Sequence, residues 1–369
     1  MISPLRTIIA SLHHLFFATI ALCCGIVVQA WYAPLSTMPN ASPLVITIFT
    51  LAVIIGSIIR QGRALLWLLL PSAFLCGALR YQAQQTNHDL FSARYKGYHD
   101  KLIGIVTEKE KLQHPYLRQR ITLSLKNNPE TLLYVFTPQR IAVIPGDTLQ
   151  INHIVISKNT QSEYEQYLTK EGISLSVFLK GEASYKVLAL GTHSWNQKIS
   201  YQRNRIVWAL RKKLSKGTFA LFSAIFFGYK HATKEDLADY KNLFKNWGLL
   251  HYLARSGLHV VIIIWLLQVF ARMIPCAFTL KQVFMTLFIT LYWLLSWPST
   301  SFMRALITFF LYSWCVIVRW RSTFLHLLTL SCFFTLLLNP LQLFFLDFQL
   351  SYGMTYALAF MTFSRSTKS

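Results

Sequence analysis

Eight apolar blocks, three before and five after a long polar middle, leave this chain few ways to fold. They are Ile8–Ala30, Leu44–Ile59, Leu65–Leu79, the run onward from Val260, Gln282–Trp297, Met303–Val318, Phe324–Leu338 and Leu350–Phe363. A helix needs about 20 mostly apolar residues to cross a bilayer, and about 17 at the least. Several blocks fall slightly short, yet together they predict a polytopic α-helical membrane protein of about eight spans. Composition agrees, since 54% of the 369 residues are hydrophobic. The first block follows Arg6 as a signal peptide would. Its apolar core is too long for one, however, and WYAPLSTMPN offers no small-residue cleavage site, so it reads as a span.

Orientation follows from the basic residues of the short loops, because cytoplasmic loops retain Lys and Arg. Arg6, then Arg60 and Arg63, then Arg272 and Lys281, then Arg319 and Arg321, and finally Arg365 and Lys368 mark alternate loops. The loops between them, WYAPLSTMPNASP, WPSTS and NPLQLFFLD, carry no basic residue. This alternation predicts cytoplasmic termini and an outer face for the long polar middle, from about Arg80 to Gly257. The six cysteines lie in or beside apolar blocks, so no disulfide framework or CxxC metal pair is expected.

Within the middle, KLIGIVTE, RQRITLSLK, ETLLYVFT, DTLQINHIVIS and SLSVFLKG read as strands, with one helical insert, SEYEQYLTKEG. Five or six short strands with turns at Lys126–Pro129 and Pro145–Asp147 predict a small OB-like β-barrel over residues 81–195. Such folds bind single-stranded nucleic acid in basic, aromatic-lined grooves. Residues 80–216 hold 21 Lys/Arg against 10 Asp/Glu, and the whole chain carries a formal charge of +22. That surface suits a phosphate polymer, and equally anionic lipid headgroups. The densest cluster is Arg203, Arg205, Arg211, Lys212, Lys213 and Lys216, on an expected helix.

Ionisable groups at membrane depth are costly and by default face a bundle interior or a water-filled path. In HYLARSGLHVVII, His251, Arg255 and His259 are four apart, a helical stripe with Ser256 nearby and Gly257 permitting a bend. The bland alternative is a helix end reaching the headgroups. Upstream, Phe219–Tyr229 is too short to cross, so the segment reads as a re-entrant element lining a cavity. Arg304 stands inside its span, either snorkelling to the interface or meeting passing phosphate. Asp347, Gln349 and Ser351 line a pore mouth or cap a helix. A Ser256–His259 nucleophile–base pair is the enzymatic alternative, without a glycine elbow or a third residue to orient the histidine. No HxHxD or HExxH spacing points to a metal.

HYLARSGLHVVI resembles the His-Leu-x-x-Ser-Gly-Leu-His signature of the ComEC competence family, matching at His251, Leu253, Ser256, Gly257, Leu258 and His259. Arg255 stands where that family has an aliphatic residue. AIFFGYKHATKEDLADYKNLFKNWGLLH, Pro298-Ser299 with Arg304-Ala305, LLLNPLQLFFLDFQLSYG and SEYEQYLTKEGI are also similar, in the family's order. The resemblance implies an inner-membrane channel passing single-stranded DNA inward, without a cofactor. Residues 1–80 would be N-terminal spans and 196–369 a competence-type transmembrane domain. His251, Ser256, Gly257, His259, Gln349 and Ser351 would shape the constriction. Arg255, Arg304, Arg203, Arg205, Arg211, Lys212 and Lys213 would contact phosphate. The implied partners are single-stranded DNA, membrane lipid, other competence proteins, a separate nuclease and a second copy of the chain. Family members continue through further spans, and many end in a metallo-β-lactamase-like domain. The chain ends at FSRSTKS, so the expectation is a truncated or split channel without nuclease activity. The alternatives are a transporter for a smaller anion and an intramembrane Ser/His hydrolase.

Overall fold

The computed structural model describes residues 14–31, 63–95, 97–111, 116, 119–126, 128–138, 141–156, 162–179, 185–189, 195–228, 242–248, 257–297, 299–320 and 322–366. The span expected at Leu44–Ile59 lies outside them. In chain order the elements begin with α1 (His14–Trp31), α2 (Arg63–Tyr95), β1 (Gly97–Lys111), β2 (Gln119–Leu125), β3 (Asn128–Thr137) and β4 (Thr148–Ile156). Next come α3 (Ser162–Lys170), β5 (Ile173–Phe178), β6 (Tyr185–Ala189), α4 (Trp195–Lys213), α5 (Lys216–Phe222) and a π-turn (Ser223–Phe227). The last are α6 (Gly257–Met273), α7 (Phe278–Leu295), α8 (Thr300–Ile317), α9 (Phe324–Leu338), a 3-10 turn (Pro340–Phe344) and α10 (Leu346–Ser366). They gather into two compact units. One is drawn from Met1–Asn87, Phe270–Thr286 and Met303–Ser369, the other from His88–Val269 and Leu287–Phe302.

The helices of the first unit follow the apolar blocks, and among the described residues two helices, α7 and α8, are long and apolar enough to cross a membrane. α1 and α2 touch backbone to backbone. A Cβ on Gly25 would run into the Phe74 carbonyl, and one on Gly77 into that of Leu22. Small residues permit such close contact, which favours dispersion between helices. Around it pack Ala18, Leu22, Ile26, Ala73 and Cys76, with Leu328, Phe333 and Leu336 of α9 and Phe348 and Tyr352 of α10.

The unit is apolar outside and partly polar inside. Gln282, Ser313, Thr329 and Ser331 are buried. The Gln282 amide donates to Ser313 Oγ at 2.6 Å between α7 and α8. On α10, Leu346, Leu350, Met354, Leu358 and Met361 form one stripe, each more than half exposed.

α2 does not end with its apolar block at Leu79. Tyr81–Arg94 contains neither Pro nor Gly, so polarity ends the block without breaking the helix. Arg80 therefore sits mid-helix, and its Nε and Nη2 donate to the Leu337 and Leu338 carbonyls at 3.0 and 3.2 Å. Those carbonyls have no partner within α9, and a cation at a helix C-terminus is favourable.

The second unit is built on a six-stranded sheet in the order β5-β3-β2-β1-β4-β6, with β3–β5 parallel and the remaining pairs antiparallel. All five expected strand segments appear, β6 is the sixth, and the helical insert is α3. The sheet is open, however. β5 and β6 are its edges, and no ladder joins them among the described residues, whereas a barrel requires closure. Alternation fills both faces. Ile121, Leu123, Leu133, Val135, Leu149, Ile151, Leu175 and Val177 form the main core. Tyr134 and Phe136 face the other way, under Leu168 of α3.

The Pro145-Gly146-Asp147 turn forms as expected. Gly146 takes φ +107°, and the Asp147 carboxylate accepts from the Ile144 amide at 2.8 Å. Within the β1–β4 ladder, alternation in β4 breaks at one residue. His153 adopts φ +55°, although the pairing frame runs unchanged from Lys101↔Asn152 to His99↔Ile154. Leu149 and Ile151 enter the main core, and so does Ile154, one position out of phase. His153 is pushed outward, where Tyr98 Oη meets its Nδ1 at 2.6 Å and Asp100 lies 3.5 Å away.

Candidate functional site

In the first unit the structure brings together two residues singled out from sequence, Arg304 and Ser351. Arg304 stands early in α8, and its Nη1 donates to the Ser351 carbonyl of α10 at 2.8 Å. Its Cζ lies 5.8 Å from the Tyr352 ring. Tyr352 Oη meets Ser331 Oγ at 3.0 Å and Thr335 Oγ1 at 2.9 Å, and Tyr356 Oη donates to Thr329 Oγ1 at 3.1 Å. A polar ladder thus runs between α9 and α10, with a guanidinium beside it.

Among the described residues no carboxylate pairs with Arg304, and its Nε and the Ser351 hydroxyl oxygen are buried without hydrogen-bond partners. A partly buried cation in this state has capacity for an anion, because burying an uncompensated charge is costly. Tyr352, Ser331 and Thr335 were not apparent from sequence. The signal was their helical spacing, with Tyr352 and Tyr356 four apart and Ser331 and Thr335 four apart.

His251, Arg255 and Ser256 lie outside the described residues. Gly257 is buried at the start of α6, and His259 is half-buried in its first turn. Gln349 is exposed, and its amide donates to the Leu343 carbonyl at 2.9 Å, closing the 3-10 turn onto α10.

In the second unit the basic residues of α4 divide. Arg205, Arg211, Lys212 and Lys213 are exposed, with Arg211 5.9 Å from the Phe219 ring. Arg203 instead falls on the face that carries Val207 and Leu210, which pack with Phe219, Phe227 and Trp297. Its guanidinium lies 3.9 Å over the Trp297 ring and pairs with Glu108 of β1 at 3.3 Å. The Trp297 indole N–H donates to the same carboxylate. Burial lowers the Arg203 pKa and Glu108 opposes the shift. Its charge is therefore partnered internally.

The π-turn explains how Trp297 is held. A π-turn displaces backbone carbonyls from the regular ladder. The Phe227 carbonyl accepts from the Trp297 amide at 3.0 Å, and that of Phe226 accepts from Tyr292 Oη at 3.1 Å and Ser296 Oγ at 3.3 Å. Gly228, at φ +90°, ends the segment. The apolar stretch too short to cross is therefore a bent element keyed to the α7–α8 turn.

Residues 225–369 match the family model described as Competence protein. The chain is 27% identical over 236 residues to ComE operon protein 3 of Bacillus subtilis (strain 168), an alignment covering 62% of this chain and 28% of that protein. The chain thus spans well under two thirds of that relative's length. No solved structure matches. The motifs, the family model and the relative agree in supporting the ComEC competence family, with the Competence domain at residues 225–369.

Proposed function

We propose that the chain acts in DNA uptake during natural transformation, as an inner-membrane path for single-stranded DNA. The observation that carries this reading is Arg304, a guanidinium inside a helical bundle with no carboxylate partner among the described residues and with a buried, unpartnered Nε. Phosphodiesters passing such a cation are attracted without being trapped, provided the contact is single and weak. The apolar outer stripe of α10 and the two span-length helices support a lipid setting. The exposed cations of α4 support capture of a phosphate polymer on the outer side.

In this reading the chain is multi-pass, with cytoplasmic termini and an extracytoplasmic β unit, and it transports rather than catalyses. Other competence proteins and a separate nuclease act with it, and a second copy completes the pore. Fluorescently labelled DNA, added to competent cells, tests the proposal. Deleting the gene is expected to abolish cytoplasmic arrival, and Arg304→Ala to lower it about ten-fold, the effect of losing one contact of about 1.4 kcal/mol. Normal arrival in the deletion strain would sink the reading. Because Arg304 would equally meet a smaller anion, labelled inorganic phosphate run in parallel separates that second reading. Loss of phosphate uptake with normal DNA arrival would favour it.

A further inference from the structure

The second face of the sheet carries an aromatic cluster that the preceding proposal leaves unused. Phe136 of β3 and Phe178 of β5 are cross-strand partners whose rings stack at 4.8 Å between centroids, with planes 12° apart. Phe136 is buried beneath α3, while Phe178 is 46% exposed. Tyr134 meets Phe136 edge-on at 6.2 Å, and the Arg120 guanidinium lies 4.4 Å over the Tyr134 ring. On α3, Tyr164 and Tyr167 form a further stack at 6.4 Å, with Tyr167 39% exposed. Phe178 is thus backed by a buried ring and still presents nearly half its surface to solvent.

We infer that this face binds the bases of single-stranded nucleic acid, with Phe178 as the principal stacking ring, Tyr167 as a second and Arg120 as the nearby cation. Flat π-systems stack on aromatic rings whatever their sequence, and a preformed stack offers its outer face without ordering a loose side chain. The 21 Lys/Arg against 10 Asp/Glu across residues 80–216 suit a polyanion as the carrier of those bases. The inference rests on the proposed function for the source of the strand, but it is tested apart from it.

The test uses the full chain in lipid nanodiscs and the fluorescence anisotropy of a labelled oligothymidine, with base-free polyphosphate as comparison. Phe178→Ala is expected to weaken oligothymidine binding about ten-fold, the effect of one lost base stack, and to leave polyphosphate binding within about two-fold. Phe178→Trp is expected to restore it. Unchanged oligothymidine affinity, or an equal loss for polyphosphate, overturns the inference. Should Phe178→Ala misfold by circular dichroism, photo-crosslinking of an iodouracil oligonucleotide to the wild-type chain decides. An adduct on the peptide containing Phe178 supports the inference, and adducts confined to α4 overturn it. Stacking through Phe178 alongside normal import in the deletion strain keeps this site and sinks the channel. Abolished import with unaltered Phe178→Ala affinity does the reverse.

Discussion

The β-sheet core and the α8–α10 bundle solve the burial problem in opposite ways. In the sheet, Ile121, Leu123 and Leu149 are wholly buried, and Arg120 lies over the Tyr134 ring. In the bundle, Ser331 is wholly buried while Leu350 and Met354 are more than half exposed. The first arrangement is driven by water leaving apolar surface. The second has no such drive if its surroundings are themselves apolar, and then dispersion and buried hydrogen bonds hold the helices together. The same residue types therefore carry different weights in the two regions.

The sharpest test is a pair of substitutions. Leu123→Ala in the sheet is expected to cost about 3 kcal/mol through lost burial and a cavity, measured by urea unfolding of the purified chain. Leu350→Arg, at an exposed position on α10, would cost almost nothing if that face met water. Facing lipid, it is expected to lower membrane insertion by about 3 kcal/mol in a translocation assay. Near-normal insertion of that variant would break the contrast.

A smaller effect probes what holds the bundle. Tyr352→Phe removes the contacts to Ser331 and Thr335 and is expected to cost about 1 kcal/mol, read as a lower unfolding midpoint in detergent. No shift would mean that packing alone holds α9 against α10. The smallest effect sharpens the sheet side. Burial raises the Tyr134 hydroxyl above the ordinary phenol range. The stability this contributes is complete below that range and is lost as pH rises through it, because the unfolded chain deprotonates first. Wild type is expected to lose about 0.4 kcal/mol by pH 10, a loss that Tyr134→Phe abolishes. Identical pH profiles would place the hydroxyl in contact with water.

Gln119–Leu125 was readable because its two faces are filled differently, which leaves a period of two, whereas Asn128–Thr137 packs both faces and shows instead as a short run of apolar and aromatic residues. The α2 extension to Tyr95 was not readable, because a polar helix writes no apolar signal. Closure of the sheet was over-read from strand number, which counts ladders without saying whether the last meets the first. Arg304 and Ser351 each stood out as polar groups in apolar runs, yet their pairing across 47 residues depends on how α8 and α10 pack, which neither local sequence records. Arg203 was misleading for the same reason. Its neighbours in sequence are cations, and its neighbours in space are Glu108 and Trp297.

The left-handed His153 has a consequence for how β4 stores information. A β-bulge changes face by inserting a residue, and that insertion remains visible as extra length. Here the turnover occurs with no change in length, since every pair on either side keeps the same frame. One dihedral angle works as a punctuation mark, after which the odd–even grammar of the strand is read in the other phase. Two chains of equal length and similar composition can therefore differ in which half of a strand is greasy side in. A gap-based comparison would score them as the same.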